Sequence, residues 1–516
     1  MKLNLKQKLK IKKHNSQNLV VIITLINMLL AVAALGKDIF MASYLGTTEK
    51  SDAFTLAFFI TDMIGNNLIA SAVGVSCIPF FTRAQLSKDK NLLSKRFKDT
   101  NLVFSIITFA LAFILFVFRN SVIKLLAQGF TPGTTALSIK LFIILLPTII
   151  LYPLVSTGVS YMQVGGKFIV SSLAPVIFNL IFLIGIIYCY IFKIPTSSGV
   201  YIISFSVLLS VMSMILLIYF NIVGKTANKE DYVKSKTNLN LGLFKLFMPY
   251  SLILFISQIV LYYERYLASQ LQAGSVAALS YTFRLSQFPI WVFVSAIGTV
   301  VFPLMSKHSS EGNTKELSSV FKKALWWALV LTVPIIIMLY ALRLPIVEVL
   351  FLRGAFDINS LNITTEIFSS YVFVILGQSI TAISLKRFLA EEKIKKPLII
   401  YIFSSSINIV LDNYLVKTLG IKGLGYGAAI SSLVNALMMI YISKLSLRHS
   451  LNRSISRITK LVLANVSTIL ICFLADTIWN TFLSSSSFLI KFIYLSFVVI
   501  TTLVSYAISL KALKLL

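Results

Sequence analysis

From about residue 18 to residue 512 the chain is a near-continuous series of apolar runs separated by short polar stretches. A helix of roughly 20 apolar residues crosses the hydrocarbon of a bilayer. In that solvent only helices and closed barrels satisfy their own backbone groups. The runs are too long for barrel strands, which need only ~9–11 residues. The fold class that follows is an all-α polytopic membrane protein. Fourteen spans are legible, at roughly 18–44, 53–82, 100–118, 137–163, 169–193, 199–222, 244–270, 275–306, 323–343, 365–390, 397–417, 424–446, 457–479 and 485–512.

Charge placement supports that number. The chain is 57% hydrophobic yet carries a formal net charge of +29. In a soluble protein such an excess would suggest nucleic-acid binding. Here the basic residues gather in alternate loops: Lys2 to Lys13, Arg83 to Lys98, Lys167, Lys225 to Lys236, Lys307 to Lys323, Lys386 to Lys396 and Lys444 to Lys460. The intervening loops are poor in Lys and Arg. By the positive-inside rule both termini are cytoplasmic, and a missed span would invert the pattern partway. A signal-peptide reading of the N-terminus, with Ala31-Val32-Ala33 as its cleavage site, would break the same alternation.

The sequence repeats itself. FMASYLGTTEKSDAF near residue 40 echoes YLASQLQAGSVAALS near 266, CIPFFTR at 77 echoes VFPLMSK at 301, and LAQGFTPGTTALSIKLF at 126 echoes LFLRGAFDINSLNITTEIF at 350. Asn179 matches Asn408, and the offsets run from 224 to 229 residues. Six spans fit one period, an even number, so both copies insert the same way up. The expected organisation is a basic N-terminus (1–17), an N-lobe of six spans (18–222), a cytoplasmic linker (223–243), a C-lobe of six spans (244–446) and two further helices (447–516).

Ionisable residues inside the apolar spans are the functional signal. A charge at a helix centre costs roughly 2.5–3.5 kcal/mol, so such residues face a cavity, an ion or each other. Asn408 and Asp412 share a helix face four residues apart. Glu264 precedes Arg265, Lys37 precedes Asp38, Arg284 sits in SYTFRLSQFP, and Asp62 lies in FFITDMIGNN. Arginine offers phosphate a bidentate fork. Glu264, Asn408 and Asp412 offer oxygens suited to a hard cation such as sodium, or to a proton. Adjacent helix residues do not face each other, which argues against simple pairing of Lys37 with Asp38. Asp62 is a candidate partner for a cation across a cavity. Arg353, Gly354 and Phe356 read as a turn at the outer face.

Other chemistry is not supported. Cys77, Cys189 and Cys472 are scattered in apolar segments without a CxxC, and the three histidines fall in polar ones. No phosphate-binding GxxxxGK[ST] run and no nucleophile elbow is present, so neither an ATP-driven pump nor an enzyme is expected.

Three stretches resemble the MurJ/MviN family of lipid II flippases, within the superfamily that includes multidrug and oligosaccharidyl-lipid exporters. They are SQIVLYYERYLASQLQAGSVAALSYTFRLSQFPIWVF (257–293), LFLRGAFD (350–357) and KRFLAEEKIKKPLIIYIFSSSINIVLDNYLVKTLGIKGLGYGAAISSLVNAL (386–437). LGKDIFMASYLGTTEKSDAFTLAF (35–58), AQGF and SSLAPVIFNL extend the likeness into the N-lobe, and the whole covers about residues 18 to 440.

The resemblance implies a V-shaped, two-lobed transporter of the bacterial cytoplasmic membrane. It would carry polyprenyl-pyrophosphate-linked peptidoglycan precursor from the inner to the outer leaflet by alternating access. It implies substrate contacts at Lys37, Asp38 and Arg284 and a sodium site at Glu264, Asn408 and Asp412; Asp62 joins the candidate substrate residues on the span pattern alone, as a partner for Lys37 or Arg284. Spans 13 and 14 would form a groove for the lipid tail. The family's other cavity arginines align with Ala31, Phe59, Gly65 and Asn66, so this cavity is poorer in cations. No cofactor is expected beyond a sodium ion or proton. The expected partners are the lipid-linked glycan and the bilayer, with cell-wall synthesis proteins as further candidates, for a monomeric protein. Two other cargoes remain open: another lipid-linked cell-surface polysaccharide, or small amphipathic compounds exported with a cation.

Overall fold

A computed structural model describes residues 2–85, 87, 91–223, 241–391, 393, 395–443, 451–483 and 486–515. The basic loop residues Lys88, Lys90, Lys225 to Lys236 and Lys444, and most of the proposed linker, lie outside these. Among the described residues every regular element is a helix. Twelve helices are long and apolar enough to cross a membrane, and the bent pair Ile358–Tyr371 and Val374–Ala390 makes a thirteenth. The remaining predicted span, 244–270, coincides with the 29-residue helix Leu241–Ser269. Fourteen predicted spans and these helices therefore correspond one to one, in order.

Serine and threonine are frequent inside these helices, and the structure shows why they are tolerated. Thr61, Ser76, Thr108, Ser204, Ser210 and Thr332 each donate to the carbonyl four residues back. A hydroxyl satisfied within its own helix can be buried or face lipid without an unmet donor. On the outward faces large apolar side chains are exposed, for example Ile106, Phe109 and Phe113 on span 3. In water such a surface would aggregate; against acyl chains it is solvated.

The chain forms two units, residues 1–258 and 259–516. The core of the first includes Phe80, Phe81, Phe97, Phe104 and Tyr152. Phe247, from the start of span 7, stacks obliquely on Phe104 with ring centroids 5.3 Å apart. Among the apolar clusters of the second unit, one is built around Val294, Met305, Leu317 and Phe321. Spans 13 and 14 are Ser456–Leu483 and Phe488–Ala512. They pack on span 9 (Thr314–Ala341), where the Tyr506 hydroxyl donates to the Val330 carbonyl at 2.7 Å.

The internal repeat predicted from sequence recurs in structural detail. Span 4 (Pro132–Val164) is two helices, Pro132–Leu145 and Pro147–Val164; its counterpart breaks between Tyr371 and Val374. Thr131 caps the first by accepting from the Thr134 amide, and Asp357 caps the second by accepting from the Ser360 amide. The short helices Arg119–Leu126 and Arg343–Phe351 open alike. In each, the arginine donates to the carbonyl three residues back, of Phe116 or Tyr340, and lies over that residue's ring. Spans 2 (Glu49–Gln85) and 8 (Ser275–Ser310) are each interrupted by a π-helical segment, Met63–Ala70 and Ile290–Val294.

Candidate functional site

In the second unit, spans 7, 10, 11 and 12 bring a polar group together inside an apolar surround. Span 11 (Lys395–Leu419) supplies Asn408 and Asp412 from one buried face. The Asn408 amide donates to Asp412 Oδ2 at 2.7 Å, as the four-residue spacing anticipates. Span 12 (Lys422–Ile442) supplies Ser431, whose hydroxyl donates to Asn408 Oδ1. Span 7 supplies Glu264, and the bent span 10 supplies Tyr371, whose hydroxyl donates to Glu264 Oε2 at 3.2 Å. Glu264, Asn408 and Asp412 are all at least 98% buried. Glu264 and Asp412 lie within electrostatic reach of each other. Of the three predicted oxygen donors, Asn408 and Asp412 are hydrogen-bonded to each other, and Glu264 acts on Asp412 electrostatically.

One atom of this cluster is left over. Asp412 Oδ1 is buried and makes no hydrogen bond. It faces Gly427 of span 12, where a Cβ would stand only 2.0 Å from it. The carboxylate oxygen occupies the place that a side chain at position 427 would take, so only glycine lets spans 11 and 12 approach this closely here. An unmatched buried acceptor is costly, and hard cations take carboxylate, amide and hydroxyl oxygens. The residues present therefore fit a small cation, with Asp412, Asn408, Glu264 and the Ser431 hydroxyl as its candidate ligands.

Glu264 does not depend on Arg265 alone, because Tyr371 bonds it directly. Arg265 is 4% exposed, donates Nη1–H to the Leu261 carbonyl at 3.1 Å, and lies 5.9 Å from the Phe283 ring centroid. The half-buried Arg284 is close enough to act on it electrostatically. The pair makes this part of the second unit cationic beside the carboxyl cluster.

In the first unit Lys37 Nζ lies 3.6 Å from Asp38 Oδ1, so the neighbours do pair. Their backbone positions diverge, but the lysine's four-carbon stem can fold back when burial denies it water. Its side chain is 5% exposed, and the ammonium sits 5.2 Å from the Phe182 ring centroid. Phe182 in turn packs against Phe54 and Phe58 of span 2. One turn further along span 2, both oxygens of the Asp62 carboxylate accept hydrogen bonds. Asn66 Nδ2 is 3.1 Å away and Asn67 Nδ2 is 3.0 Å away.

Sequence reasoning missed Tyr371, Ser431, Gly427 and Asn67. Tyr371 lies 107 residues from Glu264, a pairing that only the packing of span 10 on span 7 reveals. Asn66, four residues from Asp62, could have been found by spacing.

The comparisons with known proteins agree. A family model described as "Lipid II flippase MurJ" matches residues 41–503. A protein of Buchnera aphidicola subsp. Acyrthosiphon pisum, named probable lipid II flippase MurJ, is 25% identical over 476 residues, covering 89% of this chain and 90% of that one. One of the same name from Rhizobium tropici is 24% identical over 427 residues, covering 79% and 78%. Among solved structures, a lipid II flippase MurJ in an inward closed conformation superposes with a TM-score of 0.75 at 21% identity, covering 96% of this chain and 99% of that one. An inward-facing multidrug transporter of the MATE family gives 0.70 at 16% identity, covering 82% and 97%. The match over residues 41–503, supported by relatives across most of their length, places this chain in the MurJ lipid II flippase family.

Proposed function

We propose that this protein translocates lipid II, the polyprenyl-pyrophosphate-linked peptidoglycan precursor, from the inner to the outer leaflet of a bacterial cytoplasmic membrane. The observation that carries the reading is the family match over residues 41–503. The protein acts as a transporter and not as an enzyme, with both termini in the cytoplasm by the loop-charge pattern. Arg284 and Lys37, with Asp38 paired to Lys37 and Asp62 on span 2, are the candidate headgroup contacts. Arg284 serves the pyrophosphate as a fork donor.

Direction comes from a cation, sodium or proton, at Glu264, Asn408 and Asp412. The ion offsets the buried carboxylates and stabilises the arrangement of spans 7, 10, 11 and 12 that holds them. A ligand shifts a conformational equilibrium only by its differential affinity for the two states. The unmatched Asp412 oxygen supplies such a difference if the cluster closes in one state only.

The test is complementation. A strain depleted of its own lipid II flippase should grow when this chain is expressed. Failure to grow, with the protein present in the membrane, overturns the reading and favours another lipid-linked glycan as cargo.

A further inference from the structure

Span 2 is apolar almost throughout, yet its centre carries Asp62, Asn66 and Asn67. Asp62 ends the helical segment Glu49–Asp62, and the two asparagines fall in the π-helical segment Met63–Ala70. Residues five apart in an α-helix diverge by about 140°. In the wider π-helix they converge, which is why Asn67 as well as Asn66 reaches Asp62. π-Helical segments recur at functional sites.

The surroundings are built to match. A Cβ on Gly65 would stand 2.9 Å from the Ile149 Cα and 3.0 Å from the Tyr152 ring, so only glycine lets span 2 seat this closely on span 4. That approach brings Tyr152 behind the carboxylate. Tyr152 is 3% exposed, and its hydroxyl is turned to the Asp62 carboxylate, with which it interacts. The front is open: Asn67 is exposed, and Asp62 and Asn66 are half-buried.

We infer that Asp62, Asn66 and Asn67, backed by Tyr152, form a recognition site for a sugar, taking the hydroxyl and acetamido groups of the cargo's glycan. The inference rests on the flippase reading and names which part of the headgroup this site serves. The carboxylate offers acceptors. Each amide offers a carbonyl acceptor and a second N–H donor, and the phenol behind them holds the carboxylate in place. A set that mixes donors and acceptors over a few ångströms matches vicinal hydroxyls and N-acetyl amides, which are themselves mixed. It does not match pyrophosphate, which only accepts and which the Asp62 charge would repel.

The experiment compares two probes on the purified full chain in lipid nanodiscs: lipid II and undecaprenyl pyrophosphate, which lacks the sugars. The wild type is expected to bind lipid II more tightly. Asn67→Ala, at an exposed position, should narrow that ratio about five-fold, the worth of a typical hydrogen bond. Asn66→Ala and Tyr152→Phe should narrow it further. An unchanged ratio in all three variants, with both probes still bound, overturns the inference alone. Loss of a sodium-dependent thermal shift at an unchanged ratio also overturns it, by making the cluster a cation site. Binding of neither probe by the wild type sinks the flippase reading and this inference with it.

Discussion

Lys491 Nζ lies 2.5 Å from Glu348 Oε1, and the other oxygen of Glu348 accepts from the Trp479 indole at 3.1 Å. The start of span 14 and the end of span 13 are therefore pinned to one carboxylate on the short helix Arg343–Phe351. The Lys491 and Glu348 side chains are only 12% and 13% exposed. Breaking such a pair strands a charge, which costs about 3 kcal/mol. Glu348→Gln and Lys491→Met should each lower the unfolding temperature markedly, and the double variant by less than their sum. Strictly additive losses would reduce the pair to a chance contact.

At the proposed cation site, sodium and protons should compete for the oxygens of Glu264, Asn408 and Asp412. Sodium should raise thermal stability more near pH 8 than near pH 5.5, since a bound proton blocks the ion. Asp412→Asn should remove most of the effect. Gly427→Ala should do the same, because its Cβ would overlap Asp412 Oδ1 and displace the carboxylate. A sodium response that survives both variants would mark the cluster as structural only.

Arg284→Ala should abolish transport while leaving insertion intact, and Arg284→Lys should retain part, since a point charge lacks the bidentate fork. The buried Lys37, paired with Asp38 and resting on Phe182, should show its loss in stability as well as in transport. Full transport by the Arg284→Ala, Lys37→Ala double variant would remove both residues from the headgroup site.

Asp357 caps span 10, and the Ser360 amide, then the Ser360 hydroxyl, hold its carboxyl below the ordinary range. A carboxyl lowered on folding stabilises fully above its unfolded value of ~3.9 and loses that contribution as pH falls through its folded value. Asp357→Ala should cost about 1 kcal/mol at neutral pH. Asp357→Asn keeps a capping oxygen and should differ little at neutral pH while flattening the acid limb of the stability curve. An identical acid limb in wild type and Asp357→Asn would exclude the effect.

Basic-loop alternation predicts accessibility. Single cysteines near residues 48, 131 and 357 should react with impermeant thiol reagents outside intact cells, and those near 90, 230 and 392 should not. The native Cys77, Cys189 and Cys472 are buried, so background labelling should be low. Reaction near 392 from outside would overturn the orientation.

The spans and their repetition were legible because hydropathy and loop charge are local signals summed over many residues. Asn408 with Asp412 was legible because a four-residue spacing fixes a shared face. Tyr371 against Glu264, and Lys491 against Glu348 across 143 residues, were not, since nothing local encodes which helices touch. Lys37 misled for a subtler reason: backbone direction says little about where a long, buried side chain finds its counter-charge.

The π-helical segments of spans 2 and 8 change how those spans must be numbered in any experiment. Each behaves as an inserted residue, which rotates everything beyond it by about 100° relative to everything before. A helical wheel drawn straight through Glu49–Gln85 would assign Asn67 and Asp62 to different faces, although their side chains touch. Because the segments fall at corresponding places in the two repeats, this phase slip belongs to the repeated unit itself. Scanning mutagenesis of either span should therefore show its periodicity restart at residue 70 or 294, with the sensitive face displaced by one position.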